Sequence, residues 1–584
     1  MEINLLPSQS QVPFVARRLA QPRCVFVNGS IANHADWLER FAYLVPSEMD
    51  GPASFTQGSK VFLAERYGGR GTAFHGGGAR CGRDGGYQIK GIGRNPLLGT
   101  GFAPGESGFW HSHGGVTLAD AIAEAAWGET LHHALPFGAT RVHCVIATNT
   151  QCWQPTSEGR KSTVPRGLVV REAVLRPAHF ERAVYFNPAG DFPYCHDTER
   201  VRAAIRVLPQ VLSLSQGSLD PIPRSREVAL MTGLTELARR FAAQCATAKA
   251  LRLMHGTLNA SNIALDGRWL DYGTVSALPN HANTRNFGLP PHILPFWDEH
   301  ENLVAVLNNL CFYISKYFPF EKADSMPQAP ELVQLFRAHY ELELSRSFVR
   351  LAGFPASLLE SSTVQSEITQ LGTLLVRVAR DGVERAFVPA VADLTRYGEN
   401  RLGLALLILA RWHHHCACES RLATIVSNAR LRESLLVAYR KIAESVYHYA
   451  ALSGIRSDAF RQLCQLQAAK SAKVVAVLCR PTMTEQCRRV VHGSSTGAEL
   501  ATAIQRWVDG VVDQAALVFG RSDSYSSLCW IDRQKRVDYD AVQDVWKISA
   551  SADTAILPRG AVENSDALGV VRTYWDERAW KQAE

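Results

Sequence analysis

About a dozen glycines crowd residues 67–101, a density that neither a regular helix nor a continuous sheet tolerates, because glycine loses more backbone freedom on ordering than any other residue. Any fold this chain adopts must turn and loop there, and build its core from what lies around it. Regular patterns follow. Thr117 to Leu131 spaces alanines and apolar residues at helical intervals. Val142 to Thr148 and Leu168 to Leu175 are rich in valine, isoleucine and leucine and read as strands. From Glu227 onward helix dominates: Val228 to Leu251, Glu299 to Tyr317, Glu331 to Leu351 and much of Val364 to Tyr449.

Strands with one helix, followed by a long helical part, outline an α+β chain of the two-lobed protein-kinase-like kind. The expected division is an N-terminal extension over 1–60, a glycine-rich N-lobe over 61–180, a large helical C-lobe over 181–400 and a helical C-terminal region over 401–584. The net charge of +7 is spread along the chain rather than gathered into a run, which points away from a nucleic-acid-binding arm. Leu402 to Ala410, the longest apolar run, falls far short of the roughly 20 residues that span a bilayer. Met1 to Arg18 lack the pattern of a signal peptide, and the thirteen cysteines are scattered rather than regularly spaced. A reduced cytoplasmic protein, with no membrane or nucleic-acid partner, is the expectation.

Chemistry concentrates in two places. His255-Gly256-Thr257-Leu258-Asn259-Ala260-Ser261-Asn262 is followed by Leu270-Asp271-Tyr272-Gly273. Kinases space a loop histidine, a metal-binding asparagine and a metal-binding aspartate in this way. An amide oxygen at Asn262 and a carboxylate at Asp271 are hard ligands suited to Mg²⁺ that also holds phosphate oxygens. The plainer alternative is a turn between strands, where Asn, Ser, Asp and Gly gather anyway. Thr257 occupies the position of the kinase catalytic aspartate and cannot act as a base near neutral pH.

The second place is Gly76-Gly77-Gly78-Ala79-Arg80, then Tyr87-Gln88-Ile89-Lys90-Gly91-Ile92-Gly93-Arg94-Asn95-Pro96. Glycines let backbone amides approach phosphates, and a lysine ending a short strand can hold their charge. A glycine-rich loop alone is weak evidence. Its weight comes from order: loop, strand lysine, then a helix carrying Glu124, whose carboxylate could pair with Lys90. Taken alone, Glu124 reads as one residue of a solvated helix face.

Lys90 to Pro96 resembles the K-G-x-G-R-T-P stretch of the SelO (YdiU) family, and 255–262 with 270–273 resembles its H-G-x-x-N-x-x-N and L-D-Y-G. Thr140-Arg141 is similar to the family's T-T-R, and Arg176-Pro177-Ala178-His179-Phe180-Glu181 to its R-F-G-H-F-E. The resemblance runs from about residue 67 to 310. It implies a pseudokinase fold that holds ATP flipped, with the α-phosphate facing the acceptor, and that moves AMP to protein hydroxyls with Mg²⁺ or Mn²⁺. By position it implies that Gly77, Gly78 and Arg80 contact the nucleotide from the glycine loop. Lys90 would hold phosphates and Glu124 would pair with it. Arg171 and Arg176 would be phosphate arginines, and Asn262 and Asp271 metal ligands.

The departures point to a divergent relative. The family's proton-accepting aspartate is replaced by Ser261, so with Thr257 neither candidate base position carries a carboxylate. His113 stands where a nucleotide-contacting aspartate would fall, after an insertion of about ten residues, and Ala79 replaces a loop glycine. The spacing of Arg171 and Arg176 is two residues shorter than in the family. The family's cysteine or selenocysteine near the C-terminus has no counterpart, since the last cysteine is Cys529.

Three expectations follow: AMP transfer from ATP to a protein or peptide, activation of a carboxylate as an acyl-adenylate, or a non-catalytic ATP-binding scaffold. Divergent SelO-like proteins of the MchC type occur in microcin gene clusters, which extends the resemblance toward peptide modification. His413-His414-His415-Cys416-Ala417-Cys418 lacks the spacing of a structural zinc site and reads as packing.

Overall fold

A computed structural model describes residues 2–568 apart from 32–35, 70–74, 100–112, 156–160, 189–196, 218–224, 285–292, 322–325, 382–399, 474–475, 494–496, 521–524, 533, 551–552 and 563–567. The insertion expected before His113 lies outside the described residues.

Eight strands form one sheet: β1 (Gln11–Leu19), β2 (Arg23–Val27), β3 (Tyr43–Leu44), β4 (Phe55–Glu65), β5 (Cys81–Asp84), β6 (Tyr87–Lys90), β7 (Val142–Pro155) and β8 (Lys161–Glu172). Their spatial order is β2-β7-β8-β6-β5-β4-β1-β3, and every pairing is antiparallel. Residues 1–60, expected as an extension, thus supply β1, β2, β3 and the start of β4 to this sheet. Alternation along β7 and β8 sends Val145 and Val169 to one core and Cys144, Ile146, Leu168 and Val170 to another, so both faces are covered. On the first face lies helix α1 (Leu118–Ala134), capped by Thr117, whose hydroxyl accepts from the Asp120 amide.

Helices then take over: α2 (Asp197–Ser215), α3 (Arg226–Ala250), α4 (Glu301–Tyr317), α5 (Ala329–Arg350), α6 (Gln365–Asp381), α7 (Arg401–Trp412), α8 (Ala429–Leu452), α9 (Ser457–Ala472), α10 (Arg480–His492) and α11 (Gly497–Phe519). The helical segments read from periodicity sit within a few residues of these, whereas the expected strands Val142 to Thr148 and Leu168 to Leu175 cover only parts of the longer β7 and β8. One part differs. Helix was expected over 401–584, but after α11 the chain forms a four-stranded antiparallel sheet, β11 (Ser526–Ile531), β12 (Arg536–Asp540), β13 (Val545–Ala550) and β14 (Asp553–Pro558). Ser527 and Cys529 on β11, Val537 and Tyr539 on β12, and Trp546 and Ile548 on β13 are buried, two apart on each strand. A two-stranded pair, β9 (Leu253–Met254) with β10 (Ser276–Ala277), brackets the 255–262 loop and Asp271. Among the described residues no helix is long and apolar enough to cross a membrane.

Candidate active site

Strand β6 delivers Lys90 opposite Val169 and Gln88 opposite Arg171, so Lys90, Gln88 and Arg171 share the face that α1 covers. Lys90 Nζ donates to Glu124 Oε2 at 2.6 Å and to Asp271 Oδ1 at 2.8 Å. The other Glu124 oxygen accepts from Arg171 Nη1 at 2.6 Å. Glu124 is therefore a buried anion between two cations rather than part of a solvated helix face.

Arg171 spends the rest of its guanidinium on Gln88 Oε1, from Nε at 3.1 Å and Nη2 at 2.9 Å. Burial alone would lower its pKa, but the charge of Glu124 reverses the shift upward. Arg176 bridges sheet and loop: Nη1 donates to Ser261 O at 2.9 Å and to the Tyr67 hydroxyl at 3.3 Å, while Nη2 donates to Gln88 Oε1 at 3.1 Å. Gln88 thus collects both arginines. The resemblance gave these arginines to phosphates; the structure shows them bound to protein groups and almost wholly buried.

Asp271 has a left-handed backbone, φ 63°, a conformation in which Asp and Asn are enriched among non-glycine residues. Burial would raise its pKa, but Lys90, Arg80 and Arg171 hold the carboxyl well below the usual carboxylate range. The side chain remains 33% exposed, which leaves the carboxylate access to the solvent side. Asn262 is brought beside this segment by the bond from Leu270 N to Asn262 O, 3.1 Å. Its Nδ2 donates to Thr257 O at 2.9 Å, which fixes the amide so that Oδ1 is the end left as an acceptor. Two hard oxygens on adjoining segments fit Mg²⁺ or Mn²⁺, which complete their shells with water and phosphate oxygens. Among the described residues no three His, Cys, Asp or Glu side chains gather to form a metal site.

The 255–262 loop is held from beneath. His255 Nε2 donates to Leu270 O at 3.0 Å while Nδ1 accepts the Thr257 amide at 3.4 Å, and burial lowers its pKa, in keeping with a neutral ring. Glu299 accepts the Gly256 amide at 2.5 Å and the His255 amide at 3.3 Å. No periodicity marks Glu299 in the sequence beyond its place at the start of a helix. Gln88 carried a usable signal, being two residues before Lys90 on a strand and so on its face.

At the two positions where a base would stand, every hydroxyl proton has a partner. Thr274 Oγ1 donates to His255 O at 2.8 Å, so the 2.7 Å contact between Thr257 and Thr274 hydroxyls uses the Thr257 proton. Ser261 Oγ donates to Asn259 Oδ1 at 2.7 Å.

In the glycine loop, Gly77 has φ 140°, and a Cβ there would lie 2.2 Å from Glu65 O. Gly78 N donates to that same carbonyl at 2.9 Å. These glycines let the loop lie against β4, and Asn95 Nδ2 fastens it through Gly78 O at 2.7 Å and Cys81 O at 2.8 Å. Arg80 follows, half-buried, close enough for its charge to act on Asp271. His113 Nδ1 accepts the Gly115 amide at 3.2 Å. Arg141 pairs with Glu129 at 2.5 Å rather than reaching this cluster. His413 lies elsewhere, buried against Tyr439 with its pKa pushed down to about 4 by burial.

A buried lysine thus bridges a helix glutamate and a left-handed aspartate, beside an oriented asparagine. Known proteins of similar sequence share one name. The chain is 27% identical over 241 residues to the protein nucleotidyltransferase YdiU of Pseudomonas fluorescens strain SBW25, covering 40% of this chain and 43% of that protein. To the YdiU of Aromatoleum aromaticum it is 25% identical over 309 residues, 50% of this chain and 51% of that one. To the YdiU of Pseudomonas fluorescens strain Pf-5 it is 24% identical over 292 residues, 49% and 51%. The chain spans at most about half the length of these curated relatives. No family model matches it. The chain is thus similar to the YdiU (SelO) nucleotidyltransferases, at 24–27% identity over no more than about half of its length.

Proposed function

We propose that this chain is a metal-dependent nucleotidyltransferase that moves AMP from ATP to a protein or peptide acceptor on a two-lobed kinase-like scaffold. The observation that carries this is the Lys90 bridge, which joins β6, α1 and the Asp271 segment at one point. The relatives' name, protein nucleotidyltransferase, supports the reaction class and the protein acceptor. Asn262 and Asp271 would hold Mg²⁺ or Mn²⁺, which would neutralise phosphate charge as it develops. Lys90, kept in place by Glu124, would hold phosphate oxygens, and Arg80 would add positive charge from the glycine loop. Arg171 and Arg176 would act by fixing Glu124, Gln88 and the Ser261 backbone. The acceptor nucleophile bonds to the α-phosphorus, the bond to the bridging oxygen breaks, and pyrophosphate leaves.

The hydroxyl accounting at Thr257 and Ser261 favours one second reading, that the acceptor group is a carboxylate. A hydroxyl gains roughly 10²–10⁴ in rate from a base, whereas a carboxylate is already ionised at pH 7. Its product would be an acyl-adenylate.

The test compares α-labelled and γ-labelled ATP, with Mg²⁺ or Mn²⁺, in wild type and Asp271→Ala. Metal-dependent α-label transfer or pyrophosphate release, lost in the variant, supports adenylyl transfer. Transfer of γ-label alone makes the protein a kinase, and absence of ATP binding overturns the reading. Trapping with hydroxylamine separates the two acceptors, since an acyl-adenylate yields a hydroxamate.

A further inference from the structure

The segment after Asp271 is stapled to a part of the chain some two hundred residues away. Arg480, the first residue of α10, donates from Nε to Gly273 O at 3.0 Å and from its backbone amide to Ser276 Oγ at 2.9 Å. Just beyond, Arg252 reaches Pro279 O from Nη1 at 2.8 Å and Lys473 O from Nη2 at 2.7 Å. Two arginines thus tie Gly273 and Pro279 to Lys473 and the start of α10. The same C-terminal elements reach the other half of the site. Both α10 and α11 pack on α1, which carries Glu124, and α11 also packs on β2. Trp507 Nε1 donates to Gln486 Oε1 at 3.1 Å, locking α11 to α10. Asp120, four residues before Glu124, lies close enough for its charge to act on Arg480.

From this geometry we infer that Arg480 is a positioning residue for the nucleotide site, and that α10 and α11 brace the Asp271 segment and the Glu124 helix as one unit. The physical reason is leverage. Asp271 has a left-handed backbone and leads into a short turn at 272–274; the Tyr272 hydroxyl ties that turn to Thr140 O at 2.7 Å and the Thr274 hydroxyl to His255 O at 2.8 Å, while Arg480 holds the Gly273 carbonyl between them from α10. Because one element holds both the metal-ligand segment and the lysine's glutamate partner, the Lys90–Asp271 distance is set from the far end of the chain. The inference rests on the assignment of Asp271 made above.

The test uses the full chain with Arg480→Ala, Arg480→Lys and Ser276→Ala. Two quantities are read: hydrogen exchange at amides 271–278, and the Mn²⁺ concentration that half-saturates ATP binding. In Arg480→Ala, exchange at 271–278 should quicken and half-saturating Mn²⁺ should rise about three- to tenfold, the loss expected for one hydrogen bond. Arg480→Lys should recover most of both, since an ammonium can still donate to a carbonyl. Ser276→Ala should show a smaller change of the same kind. Unchanged exchange at 271–278 in Arg480→Ala overturns the inference whatever the binding result. So does a change spread uniformly over the chain that lysine does not rescue, which would mark a merely structural residue. If the wild type fails to bind ATP with any metal while Arg480→Ala still loosens 271–278, the proposed function falls but the brace stands.

Discussion

Lys90 and Asp271, 181 positions apart in sequence, meet at 2.8 Å. The contact joins the end of an interior strand, β6, to a turn between two helical regions. Its first consequence concerns the aspartate. Asp271→Asn should lower adenylyl transfer by at least about 10²-fold, the scale seen when one group stabilising developing charge is removed. Because Lys90, Arg80 and Arg171 stabilise its charge, the denaturation midpoint should fall too, the loss being limited by the third of the side chain that is exposed. A radiolabel assay beside urea unfolding checks both.

Glu124 should weigh more heavily on stability. Replacing it with glutamine leaves Lys90 and Arg171 buried without their shared anion. Breaking a buried pair of this kind costs about 3–5 kcal/mol. The urea midpoint of Glu124→Gln should fall steeply, along with activity. A variant as stable as wild type would show that the network is not the clamp described.

Acid should weaken the protein through histidines before it reaches the site carboxylates. Burial pushes the His281 pKa down to about 3 and that of His300 down to about 4. The unfolded chain binds a proton at each below about pH 6.5, while the folded chain does not, so stability falls as pH drops through that range. For His281 alone the loss from pH 7 to 5 is about 2 kcal/mol. Asp271 has a depressed pKa, so its contribution is present above the ordinary carboxylate range and disappears only below it, outside this window. Urea midpoints at pH 7 and pH 5 should differ less in His281→Asn than in wild type.

The base position offers a gain-of-function test. Ser261→Asp places a carboxylate beside Asn262, and transfer to a hydroxyl acceptor should rise by about 10²–10⁴-fold. Hydroxamate formation from a carboxylate acceptor should not rise. If neither reaction changes, the inward hydrogen bond of Ser261 is not what limits the wild type.

Much of this was legible in the sequence. Periodicity marked α1, α3, α4 and α5, and the two motif clusters named Lys90, Glu124, Asn262 and Asp271, because spacing within a strand or loop carries that information directly. Other features were not. The sheet β11–β14 is built from strands of five or six residues, too short for alternation to stand out within a helical context. Glu299 and Arg480 have ordinary local surroundings, and only their distant partners give them meaning.

The sequence by itself determined which chemical groups are present, their order, and the absence of a carboxylate at 257 and 261. Only the tertiary structure decided what each group touches. It turned Arg171 and Arg176 inward onto Glu124, Gln88 and Ser261, committed both hydroxyl protons, and brought Arg480 against Gly273 and Ser276. Hydrogen bonds and ion pairs depend on distances of a few ångströms. Across hundreds of residues those distances are set by how sheet and helices pack, which local spacing does not encode.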